Sequence, residues 1–352
     1  IDPANVVPNA KPIAKILQRP DAAATVRKIG QADDQRFIDH YAQHRQARNV
    51  TNSRALLMFY AHGFEKGLSR NTSFRPGFGE ASMKPLAAEM NAWLSKGNDP
   101  RDKFFQVAAS VMRVYFDRHR ALKVDVSHFW TLFDPAVQAQ IQKADPTIGG
   151  SIAANVTRET PVSGLPDRSF SDVVFSRRSV REFSDAPVRD EDIVRAVTIA
   201  LQAPSVCNRQ PARIHQIEDP NIVRAVLELQ GGFRGYKLPP KLVLITSDLS
   251  VFIGAVERNQ GYIDGGLFMM MFLLALEQLG LGGCCLNTAM NLEREAATRE
   301  LLGIPESQIF ISYVAIGHYQ EETQVPRSKR IDASDIIIRQ SPAQKSRPSP
   351  AT

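Results

Sequence analysis

Cysteine is scarce: the 352 residues contain three, Cys207, Cys284 and Cys285. Three thiols do not make a disulfide framework, adjacent cysteines pair only with strain, and the Cys-x-x-Cys spacing of metal and redox sites is missing. A reducing compartment fits this usage. The first residues, Ile1-Asp2-Pro3, show no charged stretch leading into an apolar one, so no signal peptide is expected and a cytoplasmic location is. Long apolar runs are missing too. The longest, Leu267 to Leu276, is about half of the roughly 20 residues a bilayer requires, so it reads as a buried helix and no membrane insertion is expected.

Several chemistries lack their residues. There is no Gly-x-Ser-x-Gly elbow and no Walker loop. Gly280-Leu281-Gly282-Gly283 follows a helix and precedes a strand, the reverse of a dinucleotide loop, and reads as a helix stop with a close backbone approach. His40 and His44 stand one helical turn apart but have no neighbouring Glu or third ligand, so no metal is expected. A net charge of +6 admits a nucleic-acid partner, yet it is dispersed among 37 acidic residues without a helix-turn-helix, zinc-finger or RNA-binding signature. No nucleic-acid binding is expected.

The chain is long enough for two units, and 43% hydrophobic residues supply a sizeable core. Residues 1–30 read as a loose segment, 31–145 as a helical region and 146–169, with Pro146, Gly149, Gly150, Pro161, Gly164 and Pro166, as a linker. In the helical region Phe104, Val107, Ala108, Val111, Met112 and Tyr115 recur at the helical period behind Asp99-Pro100 as N-cap and first-turn proline. Ser82 and Pro85 open another helix, through Trp93. Residues 170–340 alternate helix and strand. The strands fall at Ile214–Ile217, Lys241–Thr246, Gly283–Leu286 and Ile309–Ile316, and the helices begin near 190, at Asp219-Pro220, before Leu279 and at 292, which argues for an α/β sandwich. Residues 341–352 have the composition of a disordered tail.

Three segments carry chemistry. Arg177-Arg178-Ser179-Val180-Arg181 gathers three guanidiniums and a hydroxyl, a ready anion site that reappears in kind at Arg327-Ser328-Lys329-Arg330. Pro204-Ser205-Val206-Cys207-Asn208-Arg209-Gln210-Pro211 is a rigid polar loop after a helix, suited to a polyol or the edge of a heteroaromatic ring. Gly282 to Thr288 reads as a strand opening into a polar loop, with Asn291 capping the next helix.

In this order these segments resemble the flavin-dependent nitroreductase family over about residues 170–340. The resemblance implies an α+β sandwich, a mostly antiparallel sheet flanked by helices, here preceded by an α-helical domain. It implies FMN at the interface of a homodimer and NADH or NADPH as a transient donor. Arg177, Arg178, Ser179 and Arg181 would hold the phosphate and ribityl chain, with Arg330, Arg327 and Lys329. Pro204, Ser205, Asn208 and Gln210 would line the cofactor, some from the partner subunit, and Leu286, Asn287 and Thr288 would sit near the ring. Ala212 stands where many members have Trp after the loop.

The implied activity is reduction of a small organic acceptor of nitro, quinone or enone type. The alternatives are a flavin/oxygen-dependent oxidase and a flavin-binding protein without turnover acting in a polysaccharide pathway; His62 to Gly79 resembles an extension of nitroreductase-like proteins from polysaccharide gene clusters. No catalytic side chain is expected, since the cofactor carries the redox chemistry. The glycines of this extension, with Phe74 and Phe78, suggest a lid over the ring. Met269-Met270-Met271 reads as core or dimer packing, Asp264 as a helix-start charge, and Ile331 to Ile338 as an arm on the partner.

Overall fold

The computed structural model describes residues 22–42, 49–70, 74–151, 165–323, 325 and 332–340. Helices come first: α1 (Ala22–His40), α2 (Val50–Leu68), α3 (Glu80–Ser95), α4 (Lys103–Ala121), the single turn α5 (Ser127–Trp130) and α6 (Pro135–Lys143). Helix α4 buries Phe105, Ala108, Met112 and Tyr115 at the helical spacing against Leu57, Phe64, Leu86 and Met90 of its neighbours. Its N-cap is Asp102, whose carboxylate accepts from the amides of Phe104 and Phe105. This corrects the expectation for Asp99 and Pro100. Asp99 lies in the preceding turn, where its carbonyl accepts from Trp93 Nε1 at 3.0 Å.

Helix α1 also begins earlier than a loose segment to residue 30 allows. It is held by tertiary contact, with Phe37 and Ala42 in one cluster with Leu249, Val251, Phe252 and Ile253. The lid aromatics turn inward. Phe78 packs on Phe64, Tyr115 and His119, and the Arg118 guanidinium lies over Phe74 at 3.9 Å. The backbone between them is pinned as well, because His119 Nε2 accepts from the Gly77 amide at 2.9 Å. Glu65 faces His62 Nδ1 at 3.1 Å and accepts from the Gly150 amide at 3.3 Å, so the start of the expected linker is tied to the bundle.

The second part contains α7 (Phe170–Ser176), α8 (Asp190–Ala200), β1 (Ala212–Ile217), α9 (Pro220–Gln230), β2 (Lys241–Asp248), α10 (Gln260–Gln278), β3 (Leu281–Leu286), α11 (Leu292–Leu302) and β4 (Gln308–His318). The strands form one antiparallel sheet in the order β1-β2-β4-β3. Both faces are covered, which is why β2 and β4 read as nearly continuous apolar runs. Leu242, Leu244, Tyr313 and Ala315 face a core shared with α9, while Val243, Ile245, Val314 and Ile316 face α8 and α10. Gly282 is a glycine because β3 meets the Arg177–Arg181 segment there: an added Cβ would lie 3.0 Å from that of Val180.

Helix α10 is not buried all round. Phe268, Phe272 and Leu276 are inside, but Tyr262, Ile263, Leu267 and Met270 are exposed. Among the described residues no helix is long and apolar enough to cross a membrane, and no cluster of three His, Cys, Asp or Glu is arranged to hold a metal. His40 ends α1, and His44 lies outside the described residues, as does the expected tail at 341–352.

Glu277, near the C-terminal end of α10, ties the sheet domain's first helix into place. Its buried carboxylate accepts from Ser176 Oγ at 2.6 Å, Tyr319 Oη at 2.6 Å and Arg168 at 2.9 Å. Burial raises the Glu277 pKa, but the hydrogen bonds from Ser176, Tyr319 and Arg168 outweigh it and hold the carboxyl below its ordinary range. A carboxylate depressed in the folded state contributes stability above its unfolded pKa of about 4.3 and loses it as pH falls through the folded value. Glu277→Ala is expected to lower stability by roughly 3 kcal/mol at neutral pH, because it leaves Arg168 half-buried without its partner. In urea titrations the deficit should shrink as pH is lowered below about 4; a deficit independent of pH would count against the assignment.

Candidate functional site

The first basic segment is aimed by a helix end. Ser169 and Asp172 form a reciprocal capping box that starts α7. Arg177, its C-cap, has extended geometry and turns the chain to run parallel beside β3, where Ser179 bridges Gly283 and the Val180 amide donates to the Gly283 carbonyl at 3.2 Å. Val180 is buried, and Arg177 and Arg181 are half-buried. Neither guanidinium has a carboxylate partner among the described residues. Arg178 differs: it is exposed, and its Nη1 donates to the carbonyls of Phe175, at 2.7 Å, and Arg177, at 2.9 Å, at the end of α7, while Nη2 and Nε point to no acceptor among the described residues. A cavity of about 380 Å³ opens beside Arg181, between the Glu182–Asp185 segment and Lys237.

The second segment is conformationally costly. Cys207, Asn208 and Gln210 have φ of 48°, 54° and 51°, the left-handed region that residues with a Cβ seldom occupy. The turn is built from its own polar groups: Ser205 Oγ accepts from the Gln210 amide at 3.0 Å, and the Gln210 side chain donates to the Asn208 carbonyl at 3.2 Å. Pro204 and Asn208 are exposed at its surface. Two further residues lock it. Asp264, buried in the second turn of α10, accepts from the Val206 amide at 3.1 Å and from Gln260 at 2.8 Å. Arg209, the largest fully buried side chain among the described residues, pairs both terminal nitrogens with the two oxygens of Glu257 at 3.1 and 2.5 Å and donates to the Val251 and Val206 carbonyls.

Asp264 is therefore not the free helix-start charge that its sequence position suggested, and Arg209 is a buried ion-pair partner. Asp264 had a usable signal, since a carboxylate inside an apolar helix must find donors. Arg209 had none, because Glu257 lies 48 positions away.

In the third segment Leu286 is buried at the end of β3 and the chain turns outward. Asn287 Oδ1 accepts from the Ala289 amide at 3.0 Å, and its carbonyl accepts from Gln230 Nε2 at 3.1 Å. Thr288 Oγ1 faces the carbonyls of Phe310 and Ile311, each at 3.4 Å. Asn291 caps α11 by accepting from the Arg294 amide, as its position suggested. Burial pushes the Cys284 thiol up against the pull of Arg181 and Arg177, and pushes the Cys285 thiol up as well.

The sheet order decides which segments meet. The basic segment and the Leu286–Thr288 turn share the β3 edge, whereas the Pro204–Gln210 loop leads into β1 on the opposite edge, about 14 Å away across three strand spacings. The basic segment and the polar loop also lie toward opposite ends of the sheet: β1 enters opposite Ser247 of β2, itself opposite Ile309 of β4, whereas Gly283, which Ser179 bridges, pairs with Ile316 near the far end of β4. Arg327, Lys329 and Arg330 lie outside the described residues.

Comparison with known proteins gives one consistent answer for this half of the chain. The model of the Nitroreductase family matches residues 174–233 and 239–318. A curated protein of Archaeoglobus fulgidus, named for NADH dehydrogenase/NAD(P)H nitroreductase activity, is 31% identical over 151 residues, covering 43% of this chain and 85% of that one. An FMN reductase [NAD(P)H] of Bacillus subtilis is 25% identical, with 40% of this chain and 62% of the relative covered. Among solved structures, the NADPH:FMN oxidoreductase of Vibrio harveyi complexed with NAD+ aligns with a TM-score of 0.41 at 20% identity, over 50% of this chain and 78% of that one. With four antiparallel strands between two helical layers and a relative this similar over most of its length, the chain belongs to the Nitroreductase family.

Proposed function

We propose that this protein is an NAD(P)H-dependent FMN oxidoreductase, with NADH or NADPH as donor and a small organic acceptor of nitro, quinone or enone type. The observation that carries the reading is the pair of half-buried guanidiniums, Arg177 and Arg181, held without a carboxylate partner beside a strand that ends in an amide-rich turn. That donor set fits FMN: a fork of guanidiniums suits a phosphate, and amides with Asn and Ser side chains suit the polar edge of a heteroaromatic ring. FMN, when bound, supplies the redox chemistry between nicotinamide and acceptor.

The chain's own residues then bind and orient. Arg177, Ser179 and Arg181 hold the phosphate and ribityl chain, joined by Arg327, Lys329 and Arg330. Pro204, Ser205, Asn208 and Gln210 line the cofactor, and Leu286, Asn287 and Thr288 present the turn at the end of β3. Arg178 takes a lesser part, since it is exposed and its Nη1 already serves the end of α7. No protein nucleophile is required, because the cofactor carries the redox chemistry.

The reading includes a homodimer. Loops on opposite sheet edges close around one ligand most simply when each site takes one edge from each subunit. Apolar surface that a partner would cover is present: Phe170 and Phe175 on α7 are 76% and 77% exposed, Ile336, Ile337 and Ile338 are 65–79% exposed, and α10 adds Tyr262, Ile263, Leu267 and Met270.

Three outcomes are expected. The purified protein should be yellow and should oxidise NADH or NADPH anaerobically when a quinone or nitroaromatic acceptor is supplied; a colourless protein that takes up no FMN would refute the reading. Arg177→Ala should weaken FMN binding by about 1.5–3 kcal/mol, the scale of a charge-assisted hydrogen bond, and Arg178→Ala by less. Fluorescence-quenching titrations with equal affinities for parent and Arg177→Ala would remove Arg177 from the site. Light scattering should show a dimer at micromolar concentration that dissociates more readily when the chain ends at residue 331, and a stable monomer of the parent would overturn the composite site.

A further inference from the structure

The Pro204–Gln210 loop holds three left-handed residues, each disfavoured by about 1–3 kcal/mol, so its shape persists only if the surroundings impose it. Part of that support comes from the helical extension. Helix α2 packs against Val206–Asn208 and against Leu249–Val251, the two segments joined by Arg209. Asn52 on α2 is buried, and its Nδ2 donates to the Ser250 carbonyl at 2.6 Å. Ala55 and Leu56, one turn on, share a cluster with Leu249, Val251, Phe252 and Ile253. The Arg209 guanidinium has an aromatic ring from each side of this joint, Phe252 at 5.6 Å and Phe59 of α2 at 6.0 Å.

The contacts form a continuous path. Asn52 fixes the 249–253 segment, whose Val251 carbonyl accepts from Arg209 at 2.9 Å. Glu257, which accepts from the Ile253 amide at 2.6 Å, fixes the other side of the same guanidinium. Arg209 in turn holds the Val206 carbonyl, between Ser205 and the first left-handed residue. The extension therefore reaches the loop through α2, at the opposite end of that helix from the His62–Gly79 segment suggested by sequence.

We propose that the helical extension is a brace for the flavin-lining loop: Phe59 and Asn52 of α2 are positioning residues that act through Arg209 to hold the left-handed backbone of residues 206–210. The flavin part of this inference rests on the FMN reading above. A brace differs from a lid in what its loss does. Loosening it spreads the loop over more conformations and weakens the cofactor's hold, while leaving access for acceptors unchanged.

The test compares full-length Phe59→Ala, Asn52→Ala and Phe59→Tyr with the parent. Phe59 is 37% exposed, so its truncation leaves the folded core intact. Amide hydrogen exchange is measured without added flavin at residues 206–210 and, as a control for global stability, in β2 and β4. FMN affinity is measured by fluorescence titration. In both alanine variants, exchange at 206–210 should quicken roughly tenfold while β2 and β4 stay as in the parent. FMN should bind about fivefold more weakly, with Phe59→Tyr restoring parental values. Exchange within about twofold of the parent at 206–210, or acceleration spread evenly over β2 and β4, would overturn the brace. Faster loop exchange with parental FMN affinity would overturn its role in the site. A parent that binds no FMN would defeat the flavin reading, and the exchange comparison would still decide whether α2 braces the loop.

Discussion

One buried cation organises the middle of this molecule. Taking the Arg209 guanidinium out of water costs several kcal/mol, and such a group persists only where its donors and its charge are fully matched. Here a two-pronged contact with Glu257, the carbonyls of Val206 and Val251, and two aromatic faces supply that match. Burial by itself would raise the Glu257 pKa, but the bonds from Arg209 and from the Ile253 and Gly254 amides hold it below its ordinary range, so the pair stays ionised. Because these partners come from three separate stretches of chain, the ion pair fixes their relative positions more than it adds to net stability.

The sheet imposes the second constraint. With β1 and β3 on opposite edges, and with Gly283 pairing near the far end of β4 from the point where β1 enters, the polar loop and the basic segment are far apart within one subunit. That arrangement gives a reason for the exposed apolar surface on α7, on α10 and at Ile336–Ile338, which would otherwise favour aggregation. Close packing at Gly282 and at Gly317, where Phe183 occupies the space a side chain would need, lets the basic segment lie flat against the β3 edge.

The helical extension is fastened at several points. Besides Asn52 and the cluster around Phe252, Arg36 of α1 reaches Glu295 at 3.0 Å and Glu306 at 3.3 Å, carboxylates that also flank the buried Arg299. Its internal core, with Phe78, Tyr115 and His119 in mutual contact, consumes the aromatics that sequence order made available for a lid. What the extension offers the rest of the chain is a rigid face, since a side chain already packed in its own core is not free to cover a ligand.

The local pattern by itself determined the strands, most helices, the caps at Asp219 and Asn291, and the three polar segments, because each depends on interactions within a few residues: periodicity, turn chemistry and side-chain-to-backbone bonds. Where two local signals competed, tertiary contact chose. Asp102 displaced Asp99 as the cap because it sits directly before the helix and also pairs with Arg54, and the far end of α1 is anchored where Phe37 meets Phe252. Roles set by distant partners were not legible in the sequence. Arg178 looks identical to Arg177 until the end of α7 takes its Nη1, Asp264 looks like a helix-start charge until Val206 needs an acceptor, and nothing near Arg209 in sequence points to Glu257. A charged group's role follows from what desolvates it and what neutralises it, and for these residues both come from parts of the chain that only folding brings near.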